Sequence, residues 1–303
     1  MMKKPFVIND LAKIEAVRNA SLEYLENNEG LYEKIATHLW AYHEIGVLVP
    51  QTPENFMSGH FFPYSESYYE LENSYALCLE GFYTYAFVAL RSVLELGVLG
   101  IYFAVNDQAH MEVQPWLDSE ERTPRFGAAL DRLKSLENFA LFNRRFDLVK
   151  RILEIYDNLS GFVHTRGFSY SSTAHTRSNF NQFSVDTLNR YSNTMFSVVS
   201  NSIISMLLKY PIGMQPLPVV EKFGLNIPMG GFLEGDQVDI VTSVIKPEEK
   251  VFLKNLSDGD PDVRQIVEYF ESLSDLSEED WKRQIEEFDK EHPQLRKKNK
   301  DGS

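Results

Sequence analysis

Residues 86–103 read AFVALRSVLELGVLGIYF, an apolar run interrupted by Arg91 and, four residues later, Glu95. A run of this composition and length reads as a helix at the centre of a helical fold. Its charge is unusual. Between residues 51 and 120 the chain carries ten Asp and Glu, and Arg91 is the only Lys or Arg. At 100° per residue, Asn73, Glu80, Thr84, Arg91 and Glu95 fall on a narrow polar stripe of one long helix. Arg91 and Glu95 are four apart and meet on one face. A buried guanidinium needs a partner, because an unpaired one costs many kcal/mol. Glu80 and Glu95 together predict a two-carboxylate clamp on it. Two meanings stay open: an ion pair that fixes packing register, or a polar cleft that presents Arg91 to an anion.

Outward from that run, helical periodicity dominates. Residues 9–28 space Leu11, Ile14, Val17, Leu22 and Leu25 at helical intervals, and a second helix follows Gly30. Pro50, Pro53, Gly59 and Pro63 predict irregular chain up to Ser65, where a helical pattern begins and runs to about residue 106, with a break near Gly81. Thr123 and Pro124 predict the start of another helix, and residues 142–163 and 185–209 are amphipathic. The segment 211–246 is dense in Pro and Gly and reads as a surface connector, with one short strand at QVDIVTSVI (237–245). Pro247, Asp260-Pro261 and Ser277 each open a short acidic helix, Ser277 and Asp280 at capping-box spacing, before a frayed tail. The expectation is an all-α, up-and-down bundle over 1–210, a connector over 211–246 and a small acidic helical appendage over 247–303.

Composition bounds the function. The chain has 303 residues, 43% hydrophobic and 24% charged, with a net charge of −14. That charge argues against a broad grip on nucleic acid, which needs clustered Lys and Arg, yet residues 121–190 carry eleven Lys and Arg against seven Asp and Glu. A single cysteine, Cys78, suits a reducing cytoplasm. The opening MMKKPFVINDLAK holds too short an apolar stretch for a signal peptide, and LGVLGIYFAV falls short of the ~20 residues of a bilayer span. No membrane role, metal or cofactor is expected: His38 and His43 sit about 140° apart on a helix and cannot chelate from one face, and no phosphate-loop motif occurs.

A second constellation lies in YDNLSGFVHTRGFSY (156–170). On a continuous helix Asp157, Ser160 and His164 share a face, His164 sits at the C-terminal end where the dipole favours its protonated form, and Arg166 follows in the turn. Histidine moves protons near neutral pH, and an adjacent arginine neutralises a phosphate or an oxyanion. HTR recurs at 175–177, adding Arg177 to a basic, Ser-rich loop.

The helix carrying ALRSVLELG, followed by a later helix ending in LSGFVHTRG, resembles the HEPN superfamily of prokaryotic helical proteins over roughly residues 65–210. The resemblance implies an up-and-down bundle, frequently a homodimer, and in many members a metal-independent ribonuclease of phage defence or toxin–antitoxin systems. The usual signature has an arginine four to six residues ahead of the histidine. Here Asp157, Asn158 and Leu159 hold those positions, so Arg91 or Arg166 would supply the cation. The implied catalytic group is His164, Arg166, Arg91 and Glu95, with Glu80, Ser160, Asp157 and Arg177 binding RNA, and with His164 lining the enclosure that holds Arg91. The competing expectation is a non-catalytic interaction module whose acidic C-terminal region binds a protein partner.

Overall fold

The computed structural model describes residues 11–49, 61–105, 110–172, 174, 182–227 and 231–292. Fourteen α-helices and no β-strand lie among them. The chain is all-α, as its periodicity predicts.

Two helices, α1 (Leu11–Glu26) and α2 (Glu29–Ile45), precede a hairpin of α3 (Phe61–Leu79) and α4 (Tyr83–Ala104). Helix α3 begins at Phe61 rather than Ser65, because Pro63 falls in its first turn, where a missing N–H costs nothing. Its end is a Schellman turn. Gly81 takes φ +80°, its N–H bonds to the Cys78 carbonyl at 3.0 Å, and the Phe82 N–H bonds to the Leu77 carbonyl at 2.8 Å. The break separates Asn73 and Glu80 from Arg91, so the five-residue polar stripe does not run along one helix.

Helix α4 is the sequence's central helix in fact. Among the described residues it is the one helix long and apolar enough to cross a membrane, and most of it is buried inside the protein. Around it pack α3, then α6 (Phe126–Leu133), α8 (Leu148–Val163) and α9 (Val185–Lys209). Between them come α5 (His110–Leu117) and α7 (Glu137–Phe146). Helix α6 starts at Phe126, later than Thr123-Pro124 implies, and the Thr123 hydroxyl instead accepts a bond from the Trp116 indole at 3.0 Å. The amphipathic stretch 142–163 is two helices, not one: Asp147 takes φ +52° between α7 and α8, and the Asn143 side chain caps the restart by accepting the Val149 N–H at 2.8 Å.

The described residues of 211–246 form neither a surface connector nor a strand. Ile212, Met214, Leu217, Val219 and Leu233 are buried in the main core. After a short helix α10 (Val219–Phe223), QVDIVTSVI lies largely in helix α11 (Gly235–Ser243). Helical spacing puts Val238, Val241, Thr242 and Ile245 on the buried side, and Glu234 with Gln237 forms a capping box at the start. Burial of one helical face outweighs the β-branched composition. The helices α12 (Pro247–Gly259), α13 (Pro261–Ser272) and α14 (Glu278–Glu291) open where the sequence places them, with the Ser277–Asp280 capping box formed. They are not detached. Leu253, Val263 and Phe270 belong to the same continuous core as α4.

Candidate anion-binding cleft

Arg91 is largely enclosed, its side chain 16% exposed, and is compensated from two sides. It donates to Glu95 at 3.1 Å and to the Tyr156 hydroxyl at 2.9 Å, and its guanidinium lies 4.8 Å from the centre of the Tyr156 ring. The two-carboxylate clamp is not formed. Glu80 lies past the end of α3, with Arg18 4.0 Å from its carboxylate. Beside this pair lies a cavity of about 700 Å³, lined by Glu95 and Tyr156 and otherwise mainly by apolar side chains such as Leu96, Leu99, Trp116 and Phe126.

The second constellation is laid out differently. Phe87 stacks on Phe162 at 4.1 Å while Arg91 meets Tyr156, so α4 and α8 run antiparallel. His164 lies eight residues beyond Tyr156, ~12 Å along the helix axis, as the exposed C-cap of α8. It does not line the Arg91 enclosure. Arg166 folds back on Asp157 through two bonds of 3.1 and 3.0 Å, both side chains being exposed. Each member of that pair holds the other's charge: the Asp157 carboxyl is pushed down and the Arg166 guanidinium up. Ser160 is buried and its hydroxyl is committed to the Tyr156 carbonyl at 2.7 Å. Arg177 lies outside the described residues.

A larger concavity lies on another face of α8. It is a cleft of about 1040 Å³ between α2, α8, α9 and the junction of α11 with α12. Helical spacing builds it. On α9, Arg190, Asn193, Thr194, Ser197, Ser200 and Asn201 recur at three- and four-residue steps and form one polar stripe. Arg151 and Glu154 come from α8, Lys34 and His38 from α2, and Lys246 and Glu249 from the start of α12.

One wall is a buried ion pair. Arg151 is fixed by Asn201, whose side-chain oxygen accepts from Nε at 3.0 Å and from Nη2 at 2.6 Å, and by Glu249, a carboxylate only 3% exposed. The Asn201 amide in turn donates to the Ser197 carbonyl at 2.6 Å. The other cations are exposed and have no carboxylate within ion-pair distance among the described residues. Lys34 sits 4.3 Å from the centre of the Phe196 ring, Arg190 lies 5.1 Å from that of Phe162, and Lys246 is the exposed residue just ahead of α12. The cleft thus holds four cations against Glu154 and Glu249, in a chain of net charge −14.

His38 forms part of the floor. Its Nδ1–H donates to the Lys34 carbonyl at 2.7 Å and its ring packs 4.3 Å from Phe196. Burial lowers its pKa to about 4 against the partial offset of that bond, so the ring is neutral at pH 7.

Sequence reasoning missed this site. The signal lay in the polar stripe of residues 190–201, and nothing in one sequence says that it faces Lys34 and Lys246 across the bundle. Comparison with family models, with curated proteins and with solved structures finds no match to this chain.

Proposed function

We propose that this protein is a helical binding protein whose cleft between α2, α8, α9 and α12 takes an anionic ligand. One observation carries the reading: Lys34, Arg190 and Lys246 converge on one concavity of an acidic protein with no carboxylate paired to them among the described residues. Exposed cations kept free of acidic partners leave their charge for something that is not part of the chain. Arg91 is then structural: its Nη2 is held by Glu95 and Tyr156, and its Nε is buried with no hydrogen-bond partner among the described residues.

Titration calorimetry with inorganic pyrophosphate tests this. Pyrophosphate is expected to bind, and to bind about tenfold more weakly when salt is raised from ~0.05 to ~0.5 M, because screening reaches exposed cations. The triple change Lys34→Gln, Arg190→Gln, Lys246→Gln should remove binding while leaving the helical circular dichroism intact. Equal binding by the variant sinks the reading.

A second reading is a metal-independent endoribonuclease of the HEPN type, in a cytoplasmic, bacterial defence setting. The exposed position of His164 favours it, since an accessible imidazole can reach RNA. His164 would take the proton from a ribose 2′-hydroxyl as that oxygen attacks the adjacent phosphorus, and the 5′-oxygen would leave. Against it stands Arg166, whose charge is engaged by Asp157. RNA cleavage in EDTA that is lost on His164→Ala supports this second reading; cleavage unchanged by His164→Ala, or absent from both proteins, removes it.

A further inference from the structure

The hydroxyls of the cleft point to the ligand's body. Thr194 donates to the Arg190 carbonyl at 2.9 Å, Ser197 to the Asn193 carbonyl at 3.0 Å and Ser200 to the Val244 carbonyl at 2.8 Å. A hydroxyl has one proton and two lone pairs. With each proton spent on the backbone, these oxygens face the cleft as acceptors. Glu154 adds an exposed carboxylate, which only accepts. Acceptors call for a ligand that brings its own O–H groups, while the Asn158 and Asn193 amides and the cations in the same lining serve its phosphate oxygens.

The cations bracket this acceptor row. Arg190 and Ser200 are ten residues apart on α9, ~15 Å along its axis, and Ser200 is bonded to Val244, two residues ahead of Lys246. The aromatic surface is small. Phe196 is 7% exposed, with Lys34 over its ring and His38 packed against it, which leaves no open aromatic platform of the kind that stacks bases.

We infer that the cleft binds a phosphorylated polyol, with phosphates at Arg190 and Lys246 and ligand hydroxyls donating to Thr194, Ser197 and Glu154. This rests on the anion-binding reading above and adds the chemical class.

Two probes of equal charge and chain length isolate the claim: mannitol 1,6-bisphosphate, with four free hydroxyls, and hexane-1,6-diol bisphosphate, with none. Calorimetry on the full chain should give at least about tenfold tighter binding of the mannitol compound, the return of two net hydrogen bonds. Thr194→Val with Ser197→Ala should erase that advantage and leave the hexanediol affinity unchanged. Equal affinities for the two probes overturn the polyol inference while pyrophosphate binding keeps the anion-binding reading alive. Failure of all three compounds to bind overturns both. A uridine tetranucleotide that binds more tightly than either probe, with no change in the hydroxyl variant, also overturns the polyol assignment.

Discussion

Arg91 carries three contacts on one side chain: a carboxylate, a phenol hydroxyl and the face of that phenol's ring. Removing it leaves Glu95 and Tyr156 short of a partner in a partly enclosed space. Arg91→Ala should therefore lower unfolding free energy by about 1–3 kcal/mol, the range for hydrogen bonds to charged groups, and leave pyrophosphate affinity unchanged. Urea melts and calorimetry on the same preparation check both halves. His38 gives the pH signature. Its folded pKa of about 4 lies below the ordinary 6.5, so between these values the unfolded chain binds more protons than the folded one. The stabilisation is complete above pH 6.5 and is lost as pH falls toward 4, by up to about 3 kcal/mol. His38→Gln should flatten that slope in urea melts run at pH 7, 6 and 5. A slope unchanged by the substitution would show that other groups set it.

At the scale of elements, Asp147 is the cleanest test. It holds φ +52° between α7 and α8, a conformation that costs a side-chain-bearing residue about 1–2 kcal/mol and costs glycine little. Asp147→Gly should be neutral or stabilising, and Asp147→Val should lose stability by about that range, read from thermal melts. The same residue marks where legibility stopped. Periodicity identified the amphipathic span 142–163, but it is blind to a one-residue reversal whose only local cue is an Asp that tolerates left-handed geometry. Gly81 was legible for the opposite reason, since glycine at a helix end is a strong signal in itself. The segment 237–245 misled because alternation over a few residues fits both a strand and a helix; what decides is that Val238, Val241 and Ile245 find the core together. For the candidate site, the sequence singled out Arg91 and its Glu95 partner correctly as a pair. It could not tell that Arg166 turns back on Asp157, because that depends on the turn after His164.

For the whole molecule, the last third completes the first two. Glu249, 98 residues from Arg151 in sequence, supplies the carboxylate that balances it, and Phe270 packs against Phe223 and Phe232. Glu249→Gln should destabilise the protein by about 2 kcal/mol or more, below the 3–5 kcal/mol of a fully buried pair because Arg151 keeps some solvent contact. A double-mutant cycle with Arg151→Met checks this: the second change should recover part of the loss, and purely additive effects would contradict it.

The Arg151–Glu249 pair also has a bearing on how the chain matures at the ribosome. Arg151 is synthesised 98 residues before its counter-charge, so until Glu249 emerges the Asn201 side chain and water are what its guanidinium has. If the proposed anion-binding reading holds, the cleft is complete only once α12 brings Lys246 and Glu249 to it, and a nascent chain stalled before that point should bind pyrophosphate more weakly than the full chain.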